Sequence, residues 1–89
     1  ADAAMLLLPT RRSLVEEAIR GLRIMKILDG YRGRPKGDLH ALVDAVMAVA
    51  SFADANRDRL VELDINPLMV LPDGEGVVAV DALVVMADG

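Results

Sequence analysis

Hydrophobic and polar positions change their period twice along this chain of 89 residues. Ala3 to Leu8 is a short apolar run closed by Pro9, the length of a strand. Ser13-Leu14-Val15-Glu16 then has the form of a capping box, in which hydroxyl and carboxylate satisfy orphan backbone donors at a helix start. Val15, Ala18, Ile19 and Leu22 recur at helical spacing, with Gly21 near the end. Ile24 to Leu28 is a second short apolar run, read as a strand or extended link. Asp29 to Gly37 holds three glycines and Pro35 and is predicted to be a loop, made basic by Arg32, Arg34 and Lys36.

Asp38 is placed to cap the strongest helix, which the pattern carries to about Asn56. Leu39, Leu42, Val43, Val46, Met47, Ala50 and Ala53 line one face of it. Asn56 to Arg59 is a polar connection. From Leu60 the period falls to two. Val61, Leu63 and Ile65 take one face of a strand, and Glu62, Asp64 and Asn66 the other. Pro67 to Leu71 continues extended, Pro72 to Gly76 is a turn, and Val77 to Met86 is the return strand. Asp73-Gly74 is a preferred pair for a two-residue hairpin loop, where both residues would need positive φ. The expected order is β-α-β-α-β-β. The expected fold class is α+β: one small domain, with an antiparallel or mixed sheet and two helices on one face.

Composition narrows the function. Apolar residues make up 54% of the chain, above the usual 45–50%, which points to apolar surface that meets another domain or another copy. Self-association is therefore expected. No apolar run approaches the ~20 residues of a membrane span, and no secretory signal is expected. The net charge of −4 disfavours nucleic acid, which needs a basic face. With no cysteine, disulfides, thiolate catalysis and Cys-based zinc sites are excluded, and a cytoplasmic setting is expected.

The candidate chemistry lies in the hairpin. Folded about Asp73-Gly74, the two strands bring Asn66 opposite Asp81 on one face. Asp81 interrupts an apolar run, where a charge costs free energy unless paired or bound to metal. Oxygen-only donors in small number suit Mg²⁺, which keeps several waters and is shared with substrate phosphates. The same pattern also serves as the wet face of a half-exposed strand, so both readings stand at this point. Pro67 weakens the register, because proline in a ladder implies an edge or a bulge. His40 reads as a helix-surface residue. Gly30-Tyr31-Arg32-Gly33 lacks the Lys-Ser/Thr ending of a phosphate loop.

Four blocks carry a resemblance: Leu28-Asp29-Gly30-Tyr31-Arg32-Gly33-Arg34-Pro35, Asp38-Leu39-His40-Ala41-Leu42, Glu62-Leu63-Asp64-Ile65-Asn66-Pro67-Leu68 and Val77-Val78-Ala79-Val80-Asp81-Ala82. Together they resemble the C-terminal part of the ATP-grasp domain of NDP-forming acyl-CoA synthetases, the ADP-forming acetate–CoA ligases among them. Succinyl-CoA synthetase β subunits are more distant relatives. The resemblance implies that residues 1–89 are one subdomain of a larger ligase. It implies that Asn66 and Asp81 hold the Mg²⁺ that bridges the phosphates of ATP, and that Asp64 assists at the nucleotide. Glu62 becomes a supporting residue. It further implies phosphoryl transfer between ATP and a phosphohistidine carried elsewhere in the parent, with the remaining domains as partners. The alternative is a regulatory or structural module of a protein-lysine acetyltransferase, to which relatives of this domain are fused.

Overall fold

The computed structural model describes residues 2–88. It contains helix α1 (Arg12–Arg20), a single turn α2 (Met25–Leu28), a 3₁₀ turn at Tyr31–Gly33, and helix α3 (Leu39–Ala55). Strands β1 (Leu60–Ile65), β2 (Leu68–Val70), β3 (Val77–Ala79) and β4 (Ala82–Met86) follow. The strands form one long hairpin whose ladder divides in two, β1 antiparallel to β4 and β2 antiparallel to β3. The fold is α+β with antiparallel strands, as the pattern predicts.

The core is small and sits between the helices. Val15 and Val43 are fully buried, with Ile19 and Leu28 close behind; Leu6, Leu39, Leu42, Val46, Met47 and Val70 pack around them. The three- and four-residue spacing of the apolar positions puts Val15 and Ile19 on the face of α1 that meets α3.

Four expectations are corrected. Ala3–Leu8 is not a strand: no segment among the described residues pairs with it, and a strand without a partner leaves its backbone groups unbonded. Its side chains still alternate, Leu6 turning inward while Met5 and Leu7 stay exposed. Ile24–Leu28 is helical, with the Leu28 N–H bonded to the Ile24 carbonyl at 3.0 Å; a run this short fits either period. Helix α1 starts at Arg12 behind Arg11, which makes no side-chain cap. Ser13 Oγ instead accepts from the Arg11 guanidinium at 3.3 Å, so the capping box does not form. At the hairpin tip the Glu75 N–H bonds the Pro72 carbonyl at 2.9 Å, which makes Asp73 and Gly74 the central pair. Only Gly74 has positive φ there (87°), so the turn is not the type with two left-handed residues.

Asp38 joins the hairpin to the helices. Its carboxylate caps α3 through the Ala41 N–H (3.0 Å) and also accepts from the Gly74 N–H (3.1 Å) and the Gly76 N–H (2.9 Å). Its own N–H donates to the Leu71 carbonyl at 2.8 Å, and the Asp73 N–H donates to the Lys36 carbonyl at 2.8 Å. The donors hold the Asp38 carboxyl below the usual carboxylate range: the Ala41 amide first, then Gly76, with partial burial opposing them. A buried carboxylate that accepts three backbone N–H groups is satisfied without a cation.

Candidate metal centre

The register of the hairpin decides which oxygens meet. Leu63 pairs with Val84, Asp64 with Leu83, Ile65 with Ala82, and beyond Pro67, Leu68 with Ala79. These pairs are symmetric about Asp73-Gly74, so Pro67 causes no slip. Between them the Asn66 N–H donates to the Asp81 carbonyl at 3.0 Å, and the Val80 N–H to the Pro67 carbonyl at 3.0 Å. Bonded pairs alternate in a regular antiparallel ladder, so two in succession mark the irregularity at which the ladder divides. The proline contributes no N–H there.

Asn66 and Asp81 are thus directly opposed, and both are exposed. In a regular ladder opposed residues have Cβ atoms about 4.5–5.5 Å apart; this pair sits at the break between the two ladders. Asp64 is one diagonal step from Asp81, since its own partner is Leu83. Glu62 faces Val85, two positions further away, and takes no place beside the pair. The structure therefore brings together Asn66 and Asp81, sets Asp64 next to them, and leaves Glu62 aside. The apolar face behind them is shorter than expected. A bulge between Leu60 and Glu62 turns Val61 outward, to 67% exposure, while Leu63 and Ile65 remain half-buried. Ile65 and Leu68 face Ala45, Val46 and Val49 of α3 across an apolar cavity of about 190 Å³. That contact orients the oxygen face away from the helices.

Among the described residues, no three His, Cys, Asp or Glu side chains converge as a closed ion site. The ion pairs among them use Glu16, Asp44 and Asp54, and none uses Asp64 or Asp81. The result is an open ledge with one neutral amide oxygen and one carboxylate opposed. That donor set fits a hard cation which keeps most of its water or takes its other ligands from a substrate. His40 lies elsewhere, exposed on the first turn of α3. Its Nδ1 is 3.2 Å from an Arg12 guanidinium nitrogen, and its Nε2 is 3.8 Å from Asp44 Oδ2. Arg12 also reaches Asp44 Oδ1 at 2.5 Å, so this cluster ties α1 to α3.

Sequence reasoning named Asp38 only as a helix cap and missed its grip on the hairpin tip. The one signal in the chain is the Gly74-x-Gly76 spacing, which leaves two amides free of side chains at the turn.

Residues 1–86 match the ATP-grasp domain family. This chain belongs to that family. It is 34% identical over 84 residues to an ADP-forming acetate–CoA ligase of Methanocaldococcus jannaschii, covering 94% of this chain and 12% of that enzyme. The fold superposes on a crystal structure of a Pyrococcus horikoshii protein with a TM-score of 0.86 at 28% identity, over 94% of this chain and 35% of the other. It also superposes on a dinucleotide-forming acetyl-coenzyme A synthetase of Ca. Korarchaeum cryptofilum, with a TM-score of 0.81 at 26% identity, over 91% of this chain and 37% of the other. That protein was solved with coenzyme A and Mg-AMPPCP, its phosphohistidine segment pointing towards the nucleotide binding site. The chain thus spans about a third or less of each of these proteins. Among the described residues no helix is long and apolar enough to cross a membrane.

Proposed function

We propose that this ATP-grasp chain is the metal-bearing C-terminal subdomain of a larger, cytoplasmic ADP-forming acyl-CoA ligase of the acetate–CoA ligase type. Asn66 and Asp81 hold Mg²⁺ at the phosphates of ATP, and Asp64 assists beside them. The observation that carries this reading is the opposition of Asn66 and Asp81 on an exposed face, backed by the Asn66 N–H to Asp81 carbonyl bond. When bound, the cation neutralises charge on the transferring phosphoryl group. The chain's own part is positional. The hairpin backbone fixes the spacing of one neutral and one anionic oxygen, and Asp64 adds a second carboxylate one step away. The remaining domains of the parent supply the rest of the nucleotide pocket and the phosphohistidine that receives the phosphoryl group.

The isolated chain exposes Val61, Val80 and Leu83 on the hairpin, each more than half accessible. In the parent, the other part of the domain covers such surface; alone, the chain self-associates. A clean monomer in sedimentation at high concentration would count against this. The site assignment is tested in the parent enzyme. Asn66→Ala and Asp81→Ala each lower Mg-ATP-dependent acyl-CoA formation by about a hundredfold or more, the scale on which a transition-state charge contact acts. Full activity in either variant would overturn the assignment.

A further inference from the structure

The Gly30–Lys36 loop carries three cations in five positions, Arg32, Arg34 and Lys36, within a chain of net charge −4. None of the three takes part in the ion pairs among the described residues. The loop is nonetheless held in place. The Gly37 N–H bonds the Leu28 carbonyl at 2.8 Å, and the Asp73 N–H bonds the Lys36 carbonyl at 2.8 Å. Gly30 sits close to its far limb: a Cβ there would lie 3.1 Å from the Arg34 carbonyl oxygen. Within it Arg32 has φ 58° and ψ 42°, a left-handed conformation that residues other than glycine rarely adopt, between Gly30 (φ 92°) and Gly33 (φ 75°) two and one positions away. That position holds an arginine rather than a third glycine.

Arg32 and Arg34 line a cavity of about 240 Å³ with Ile27 and Tyr31. The Arg32 guanidinium lies over the Tyr31 ring, 5.2 Å from its centroid. Ile27 and Tyr31 are each about half exposed, so the cavity sets two arginines beside an uncovered apolar wall. Lys36 lines a different hollow, together with Arg20, Asp29, His40 and Asp73. Guanidinium forks match the oxygens of a phosphate bidentately. The loop joins the hairpin at Pro72, six residues from Asn66, or about 20 Å of extended strand.

We infer that this cavity is a second phosphate site, separate from Asn66 and Asp81, that takes a small organic phosphate ester. The phosphate lies between Arg32 and Arg34, and the organic portion lies against Ile27 and Tyr31. The test is an amide-resolved NMR titration of the ¹⁵N-labelled chain with inorganic phosphate and with AMP, free of divalent metal and at constant ionic strength. Saturable shifts are expected at Tyr31, Arg32, Gly33 and Arg34, with AMP binding more tightly than inorganic phosphate. Arg32→Gly removes the guanidinium and relieves the left-handed backbone, so it should weaken AMP about tenfold while leaving Tm undiminished. Asp81→Asn should leave the titration unchanged, which separates this site from the proposed metal pair. Three results would each overturn the inference: unsaturable shifts spread over other exposed bases such as Arg23 and Arg59, AMP no tighter than phosphate, or no effect of Arg32→Gly.

Discussion

The helical side and the hairpin spend their apolar residues differently. Between α1 and α3, Val15 and Val43 are fully enclosed and Ile19 and Leu28 nearly so. On the hairpin, Val61, Met69, Val78, Val80, Leu83, Val84 and Val85 all remain exposed. Both regions are rich in valine and leucine, yet only one of them makes a core. A hairpin of two strands has two faces and one neighbour; α3 covers part of one face, and nothing within the described residues covers the other. The helical side is therefore where the chain holds itself together. The hairpin is where apolar surface stays uncovered among the described residues, and the oxygen ledge lies on that side.

The sharpest way to break this contrast is to make the same substitution in both regions. Val43→Ala should cost about 2 kcal/mol in denaturant unfolding, from lost burial and the cavity left behind. Val84→Ala should cost under about 1 kcal/mol. Equal costs would show that the hairpin is as much a part of the core as the helices. A smaller effect is expected at the seam between the regions. A Cβ on Gly37 would lie 2.8 Å from Leu28 Cδ2 and 3.2 Å from Val70 Cγ1. Gly37→Ala should lower stability by about 1 kcal/mol, since Leu28 can yield only by disturbing the core. An unchanged unfolding midpoint would show that the two regions do not meet there as described.

The subtlest test is one of pH. The Asp38 carboxyl is lowered in the folded chain relative to its ordinary value, so it binds protons less readily folded than unfolded. Its contribution to stability is then fully present above the ordinary carboxylate pKa, and is lost as pH falls through the lowered folded value. Asp38→Asn should flatten the acid limb of a stability-against-pH curve and weaken amide protection at Gly74 and Gly76. If the limb kept its slope in the variant, the hairpin tip would not depend on this carboxylate.

How much of this was legible in the sequence follows the same division. Helix α3, its Asp38 cap and the register that opposes Asn66 to Asp81 could be read from period and turn placement, because each depends on residues near in sequence. The N-terminal run could not: Ala3–Leu8 has strand composition but no partner here, and pairing is a property of the pair. Ile24–Leu28 was too short for its period to distinguish helix from strand. The outward turn of Val61 comes from a bulge that no residue between Leu60 and Glu62 announces. Asp38's hold on Gly74 and Gly76 spans 36 and 38 positions and needed the fold to be seen. At the ledge, the alternation of Glu62, Asp64 and Asn66 was visible, but ranking them required the partner strand. Asn66 faces Asp81, whereas Glu62 faces Val85.

The most direct measurement uses Mn²⁺, a hard oxygen-seeking cation like Mg²⁺, as a relaxation probe on the ¹⁵N-labelled chain. Line broadening should centre on Asn66 and Asp81, reach Asp64, and disappear in Asp81→Asn without change elsewhere in the spectrum. Broadening centred on other acids such as Asp54 or Asp58, or unaltered in Asp81→Asn, would contradict the assignment of this ledge as the metal-bearing part of an ATP-grasp site.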